Sequence, residues 1–296
     1  MILCVGALTM DTIFRLHVLP AGPGKFIPLD AVEVAEGMAA AQAVTIARLG
    51  GKAMLWASRG DDATGERLVV QIAGEGVDCS LVRVRPGARS AFSTVFMDQA
   101  GERIIVPRYD PELVSPPATI PDVDFSTLGV VMADVRWPAA AEMALVAAGK
   151  AGVPGILDAD VAARETLDRL VPLASHVVAS EPAARLLTGA DDAIGAVGQL
   201  GRDLAGFVAV TVGADGCYWF DRGAGAVRHT PSPKVTAVDT LAAGDVFHGA
   251  FAFGLTEGME MADIMRFASA AAAIKCTRFG GRLGAPTLQE MKAFGF

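Results

Sequence analysis

The chain has 296 residues, 52% of them hydrophobic and 20% charged, too apolar for disorder and long enough for two small domains or one large α/β unit with an attachment. Its net charge of −8, from 25 basic and 33 acidic residues, leaves no broad basic face, so nucleic acid is not expected as a partner. Every apolar run meets a charge well before the ~18 residues of a membrane span, so no membrane partner is expected either.

The opening MILCVGALTMD reaches an acid at Asp11 without a basic leader, reads as a buried strand rather than a signal peptide, and points to a cytoplasmic protein. Apolar runs at 2–5, 53–57, 130–133, 155–157, 176–179 and 207–212 are expected strands, most of them ending in Gly, Asp or Ser. Between them the spacing predicts helices over 39–49, 138–151, 181–187, 193–204, 244–256 and 261–279. Such alternation belongs to β-α-β units around a buried parallel sheet, an α/β fold. Two segments break it, 14–34 and 90–107, the latter with A-F-S-T-V-F-M beside a Gln99-Ala100-Gly101 turn. They read as antiparallel strands of a small sheet set over the carboxyl ends of the main one, as a lid. Ligands of open α/β sheets bind at those ends, which draws attention to Asp11, Asp134, Arg136, Asp158, Asp160 and Glu181, although some such residues merely cap helices. Cys4, Cys79, Cys217 and Cys276 lie far apart without a C-x-x-C pair and suit buried thiols of a reducing compartment. His17, His176, His229 and His248 are equally scattered, with no spacing for a metal helix or a Cys-His pair.

The most informative stretch is V-D-T-L-A-A-G-D-V-F-H-G-A-F, residues 238–251. Ala242, Ala243 and Gly244 are small enough for backbone amides to approach a ligand, and a helix start favours an anion such as phosphate. Asp245 at the same spot could take a proton from a hydroxyl that attacks a phosphoryl group. The plainer reading makes Asp245 an ordinary acid of a first helical turn. A second phosphate-friendly turn, T-V-G-A-D-G at 211–216, follows an apolar strand. Neither is a G-x-x-x-x-G-K-[ST] loop, and no G-x-G-x-x-G follows the first strand.

Asp239 to Asp245 resembles the D-T-x-G-A-G-D signature of the ribokinase-like (PfkB) carbohydrate kinases, with Ala242 where that family usually has glycine. Gly60 to Gly65, Gly101 to Ile105, Thr211 to Gly216 and Cys276 to Gly281 extend the resemblance over nearly the whole chain. It implies a ribokinase-like three-layer α/β/α sandwich, residues 1–296, with a lid formed by about 12–35 and 88–110. It also implies transfer of the γ-phosphoryl group of ATP to a sugar hydroxyl, with Mg2+ and room for a monovalent cation such as K+, in a homodimer joined through the lid. Asp245 would be the base, Ala242, Ala243 and Gly244 the anion hole, and Thr211, Gly213 and Gly216 the ATP contacts. Asp11 and Gly37 would meet sugar hydroxyls, and Glu181 would reach magnesium through water. Two family positions differ: Ala41 stands for the sugar-binding asparagine and Ala183 for the magnesium-organising glutamate.

Within the family, A-D-V-R-W (133–137), L-D-A-D (157–160), S-E-P (180–182) and F-A-S-A-A-A-A-I-K-C-T-R (267–278) are most similar to bacterial 6-deoxy-6-sulfofructose kinases. Lys25 and Arg136 match two of the residues with which those enzymes grip the sulfonate, and Pro107 stands where a third, an asparagine, would be. Lys25, Arg108 and Arg136 could hold an anionic end of the sugar, since guanidinium groups bind oxyanions bidentately; alternatively they are solvated charges. A fructokinase, ketohexokinase or nucleoside kinase, and a sugar-binding regulator without turnover, are the competing expectations.

Overall fold

Short apolar runs rich in Val and Ile form the strands and Ala-rich segments the helices, in line with their propensities. The computed structural model describes residues 1–99 and 101–296. Its first half contains β1 (Ile2–Val5), β2 (Thr9–Arg15), β3 (Asp30–Glu36), α1 (Met38–Arg48), β4 (Ala53–Trp56), β5 (Ser58–Gly60), α2 (Ala63–Ala73), β6 (Arg83–Arg85), β7 (Phe92–Met97), β8 (Arg103–Arg108) and β9 (Val130–Asp134). Then come α3 (Pro138–Ala151), β10 (Gly155–Ala159), α4 (Arg164–Leu170), β11 (His176–Ser180), α5 (Glu181–Thr188), α6 (Ala193–Asp203) and β12 (Phe207–Thr211). The chain closes with β13 (Cys217–Asp221), β14 (Ala226–Thr230), α7 (Ala243–Thr256), α8 (Met261–Cys276) and α9 (Leu288–Ala293).

The main sheet has the order β14-β13-β12-β11-β10-β9-β1-β4. Neighbours from β4 to β12 run parallel, and β13 and β14 finish one edge antiparallel. Side chains alternate across it: Ile2, Cys4, Val130 and Met132 pack toward α1, α7 and α8, whereas Leu3, Val5, Val131 and Ala133 pack toward α3, α4 and α6. Burial on both faces is what a parallel sheet requires. Helices α1 and α7 approach closely because Gly249 has no side chain; a Cβ there would lie 2.7 Å from both the Gln42 carbonyl oxygen and Thr45 Cβ. That contact fixes where α7 begins.

All six strands and six helices expected from the sequence are present, with small changes at their ends. The last long helix stops at Cys276 rather than 279, because the chain then turns through Gly280 (φ 105°) and Gly281 (φ 59°) to place their amides on Asp239.

A second sheet, β3-β2-β7-β8, contains both segments that broke the alternation. It is mixed, not antiparallel throughout, since β2 pairs with β7 in parallel. Nor is 14–34 one stretch of strand. Strand β2 already begins at Thr9, and Pro20, Pro23 and Pro28, which lack amide donors, keep 16–29 out of the ladder. Of the Gln99-Ala100-Gly101 turn, Ala100 lies outside the described residues. Helix α2, the β5–β6 pair and the β13–β14 hairpin were not expected.

Candidate active site

A cavity of about 520 Å³ opens where the carboxyl ends of β10, β11 and β12 and the segment after β1 meet the second sheet. Its position is the usual ligand site of an open parallel sheet.

One wall is the start of α7. Asp239 accepts the Leu241 amide at 2.7 Å, which curls the chain so that Ala242 sits at φ 60°, ψ 11° as the residue preceding the helix. It is the only described non-glycine residue with positive φ. The Val246 amide donates to the Ala242 carbonyl (2.9 Å) and that of Ala243 to the Thr240 carbonyl (3.3 Å). The amides of Gly244 and Asp245 therefore have no carbonyl of the helix to bond, and the helix dipole adds positive potential at the same point. A Cβ on Gly244 would meet no protein atom within 4 Å, so this turn faces open space in the cavity wall. Burial, and then the charge of Asp158, push the Asp245 carboxyl well above the usual carboxylate range, while His248 opposes them.

Beneath this turn His248 is buried. Its Nδ1 lies 2.7 Å from the Gly244 carbonyl oxygen, and its Nε2 lies 3.1 Å from the Val178 carbonyl oxygen and 3.3 Å from Asp158 Oδ1. The imidazole thus ties the first turn of α7 to β11 and to Asp158, which also accepts Gln42 Nε2 at 2.6 Å. The spacing of the histidines, which suits neither a metal helix nor a Cys-His pair, gives no hint of this role. The available signal was a lone polar residue three positions after Asp245 on an apolar helix.

The opposite wall is β2, β3 and β7. Asp11 is buried, and its Oδ1 and the hydroxyls of Thr9 and Ser93 have no hydrogen-bond partner in the protein. Burial raises the Asp11 pKa, and the proximity of the Ser93 and Thr9 hydroxyls offsets part of that rise. Gly37 (φ 109°) is needed for the chain crossing beside it, since a Cβ would lie 2.5 Å from the Ala7 carbonyl oxygen. Glu36, also in the wall, accepts the Arg282 amide at 2.6 Å, and it fits only because Gly281 leaves its place empty. Burial and then Asp11 push its pKa well up.

Among the residues expected at the site, Asp11, Gly37, Arg136, Thr211, Ala242, Ala243, Gly244 and Asp245 share this cavity. Lys25, Arg108, Gly213, Gly216 and Glu181 do not line it. Lys25 lies in the exposed loop between β2 and β3. Arg103, Ile105 and Pro107 occupy the cavity side of β8, so the period of two turns Arg108 to the other side, 3.8 Å from Asp110. Arg103, not foreseen, takes its place in the wall and donates to Thr240 Oγ1 at 2.8 Å. Arg136 donates to Asp160 Oδ2 (2.6 Å) and to the Val161 carbonyl (2.9 Å). Gly213 and Gly216, with φ 60° and 97°, form the turn just past Thr211. Glu181 opens α5, whose Ser180 cap accepts the Ala183 amide. Ala41 and Ala183 are fully buried.

Asp134 has a structural duty. Its Oδ2 accepts the amides of Ala7 (2.8 Å) and Ala39 (3.0 Å) and its Oδ1 that of Arg136 (2.7 Å), clasping the end of β1, the start of α1 and its own loop. Gly6 is glycine because a Cβ would lie 2.1 Å from this carboxylate.

The sequence profile of the pfkB family carbohydrate kinases matches residues 1–288. A ribokinase of Lactococcus lactis is 26% identical over 98% of this chain and 95% of its own. A fructokinase of Klebsiella pneumoniae is 28% identical over 81% of each chain. Among solved structures, a protein of Agrobacterium tumefaciens provisionally assigned as a ribokinase has a TM-score of 0.95 at 45% identity, covering 99% of this chain and 96% of that one. Arabidopsis thaliana ribokinase, solved with ribose and ATP, has a TM-score of 0.83 at 24% identity over 100% and 98% of the two chains, a likeness of fold. A profile spanning nearly every residue, on this sheet order and this helix start, means that the chain belongs to the pfkB family of carbohydrate kinases.

Proposed function

We propose that the protein transfers the γ-phosphoryl group of ATP to a hydroxyl of a ketose-like sugar held between the main sheet and the second sheet, which serves as a lid. The observation that carries this reading is the Asp245 carboxyl beside the free amides of Gly244 and Asp245, facing the same cavity as Asp11. Asp11 Oδ1 and the Thr9 and Ser93 hydroxyls offer unused bonding capacity to sugar hydroxyls, in a wall too enclosed to leave them unpaired without cost. Asp245 then accepts the proton of the attacking hydroxyl. The raised pKa makes its carboxylate a stronger base than an exposed aspartate. The amides at the start of α7 meet the charge on the transferring phosphoryl oxygens without moving. Thr211 and the glycine turn behind it suit the nucleotide.

Among the described residues no group of three His, Cys, Asp or Glu side chains could hold a metal. Magnesium accordingly fits as part of the nucleotide substrate, bound mostly by phosphates and water. The solved ribokinase with ribose and ATP supports the nucleotide, and the Klebsiella fructokinase supports a ketose.

A finer reading gives the sugar an anionic end, as in a 6-sulfo or 6-phospho sugar, and Arg103 and Arg136 in the wall favour it. The test of both is ATP consumption over fructose, ribose, fructose 6-phosphate, 6-deoxy-6-sulfofructose and nucleosides. No turnover with any of them would reject the kinase reading in favour of a sugar-binding regulator. Arg136→Ala should cost ~30-fold or more in kcat/KM on an anionic sugar and little on a neutral one; equal losses would reject the anionic end. A cytoplasmic location and a dimer joined through the exposed edge strand β8 belong to the same proposal.

A further inference from the structure

One lysine lies inside the mostly apolar packing of α8. Lys275 is fully buried. Its Nζ donates to the main-chain carbonyl of Asp239 at 2.6 Å and lies 3.1 Å from Oδ1 of the same residue. Asp239 is equally buried, and its remaining capacity is spent locally: Oδ1 accepts the Leu241 amide, and Oδ2 accepts the amides of Gly280 and Gly281, each at 2.9 Å. The amides of Val238 and Asp239 donate in turn to the Cys276 carbonyl. One ammonium and one carboxylate therefore anchor the segment that leads into Ala242 and the anion-binding turn.

A buried carboxylate requires a positive partner, and a buried cation beside another cation is strongly disfavoured. K+ and an ammonium group carry the same charge at nearly the same radius. The carbonyl and carboxylate oxygens of Asp239 would suit either, but Lys275 already occupies them, so the residues here do not fit an exchangeable monovalent cation. We propose that Lys275 is a built-in monovalent cation: its ammonium fills, at Asp239, the place that K+ would otherwise have to fill, so that the anion-binding turn is set without added salt. This rests on the reading of that turn as the reacting site, whereas the measurement that decides it does not.

The deciding measurement is the melting temperature of the full-length protein in tetramethylammonium chloride against potassium chloride at equal ionic strength, which involves no turnover. The wild type should melt alike in both. Lys275→Met, which keeps the length and removes the charge, should melt roughly 10 °C lower in tetramethylammonium, and K+ or NH4+ should recover part of that loss. Once a substrate is in hand, wild-type kcat should be the same in both salts, and that of Lys275→Met should be down at least ~100-fold without K+ and partly restored by it. A wild type that K+ stabilises or accelerates would overturn the proposal, as would a folded Lys275→Met indifferent to K+. If that variant does not fold, the wild-type comparison alone decides.

Discussion

Asp245 sits among acids, and its chemistry follows from them. Asp245→Asn keeps shape and removes the proton acceptor, so kcat should fall by ~10²- to 10⁴-fold, while the melting temperature at neutral pH should hold or rise because a carboxylate disfavoured by burial is replaced by a neutral amide; a loss below tenfold in a turnover assay would exclude Asp245 as the base. Since only the carboxylate accepts a proton and its pKa is raised, the acid limb of the kcat profile should lie above the ordinary aspartate value of about 3.9. Asp158→Asn removes a repelling charge, makes Asp245 easier to ionise, and should move that limb to lower pH. Ala242 holds a left-handed conformation that costs an alanine more than a glycine. Ala242→Gly should therefore stabilise the protein by about 0.5–1 kcal/mol after the greater chain entropy of glycine is counted, a rise of a few degrees in calorimetry. Asp245 and the small residues before it could be found in the sequence, because a helix start announces itself locally, whereas Asp11 lies inside β2 and its role is reached through the family resemblance. The roles of Arg103, His248 and Lys275 could not be found there, because their partners at Thr240, Asp158 and Asp239 are brought to them only by the fold, even though His248 stands out as a polar residue on an apolar helix.

Between elements, the contact that places the reacting turn is α1 against α7. Gly249→Ala should wedge them apart, costing ~1–3 kcal/mol and lowering kcat through the displaced start of α7. Gly198→Ala on α6 is the control: its Cβ would find its nearest neighbour, the Arg202 guanidinium, at 3.4 Å, so stability and kcat should hold or improve. Loss of kcat in both variants alike would show that the α1–α7 contact has no special part in placing the turn. The central strands were legible because burial on both faces leaves unbroken apolar runs, as at 130–134. Helix α2 was not: Val70 is 71% exposed beside buried Leu68 and Ile72, and this blurs the helical period. The β13–β14 hairpin was hidden for the opposite reason, since Tyr218, Trp219 and Phe220 are all partly exposed and show no alternation.

At the scale of the whole molecule, the second sheet ends in an edge strand, β8, with Ile104 and Val106 40% and 56% exposed, an apolar edge that invites pairing. Sedimentation should give a dimer, and Val106→Lys should shift it to monomer; a wild type that is monomeric at micromolar concentration would remove the lid interface. The thiols should react slowly in the same frame, since burial pushes Cys79 and Cys217 up to about 11 and raises Cys4 and Cys276 as well. Alkylation at pH 7 should leave activity intact. The clasps around the cavity also join early and late parts of the chain: Glu36 takes its amide from Arg282, and Asp239, nearer in sequence, takes its partners from 275–281. A ribosome makes the sugar wall first and its clasps last. A chain cut between His248 and Arg282 would own every one of the cavity-lining side chains and still lack the bond that holds Glu36 in the wall, so phosphorylation by this protein depends on a residue made 246 positions after the wall it braces.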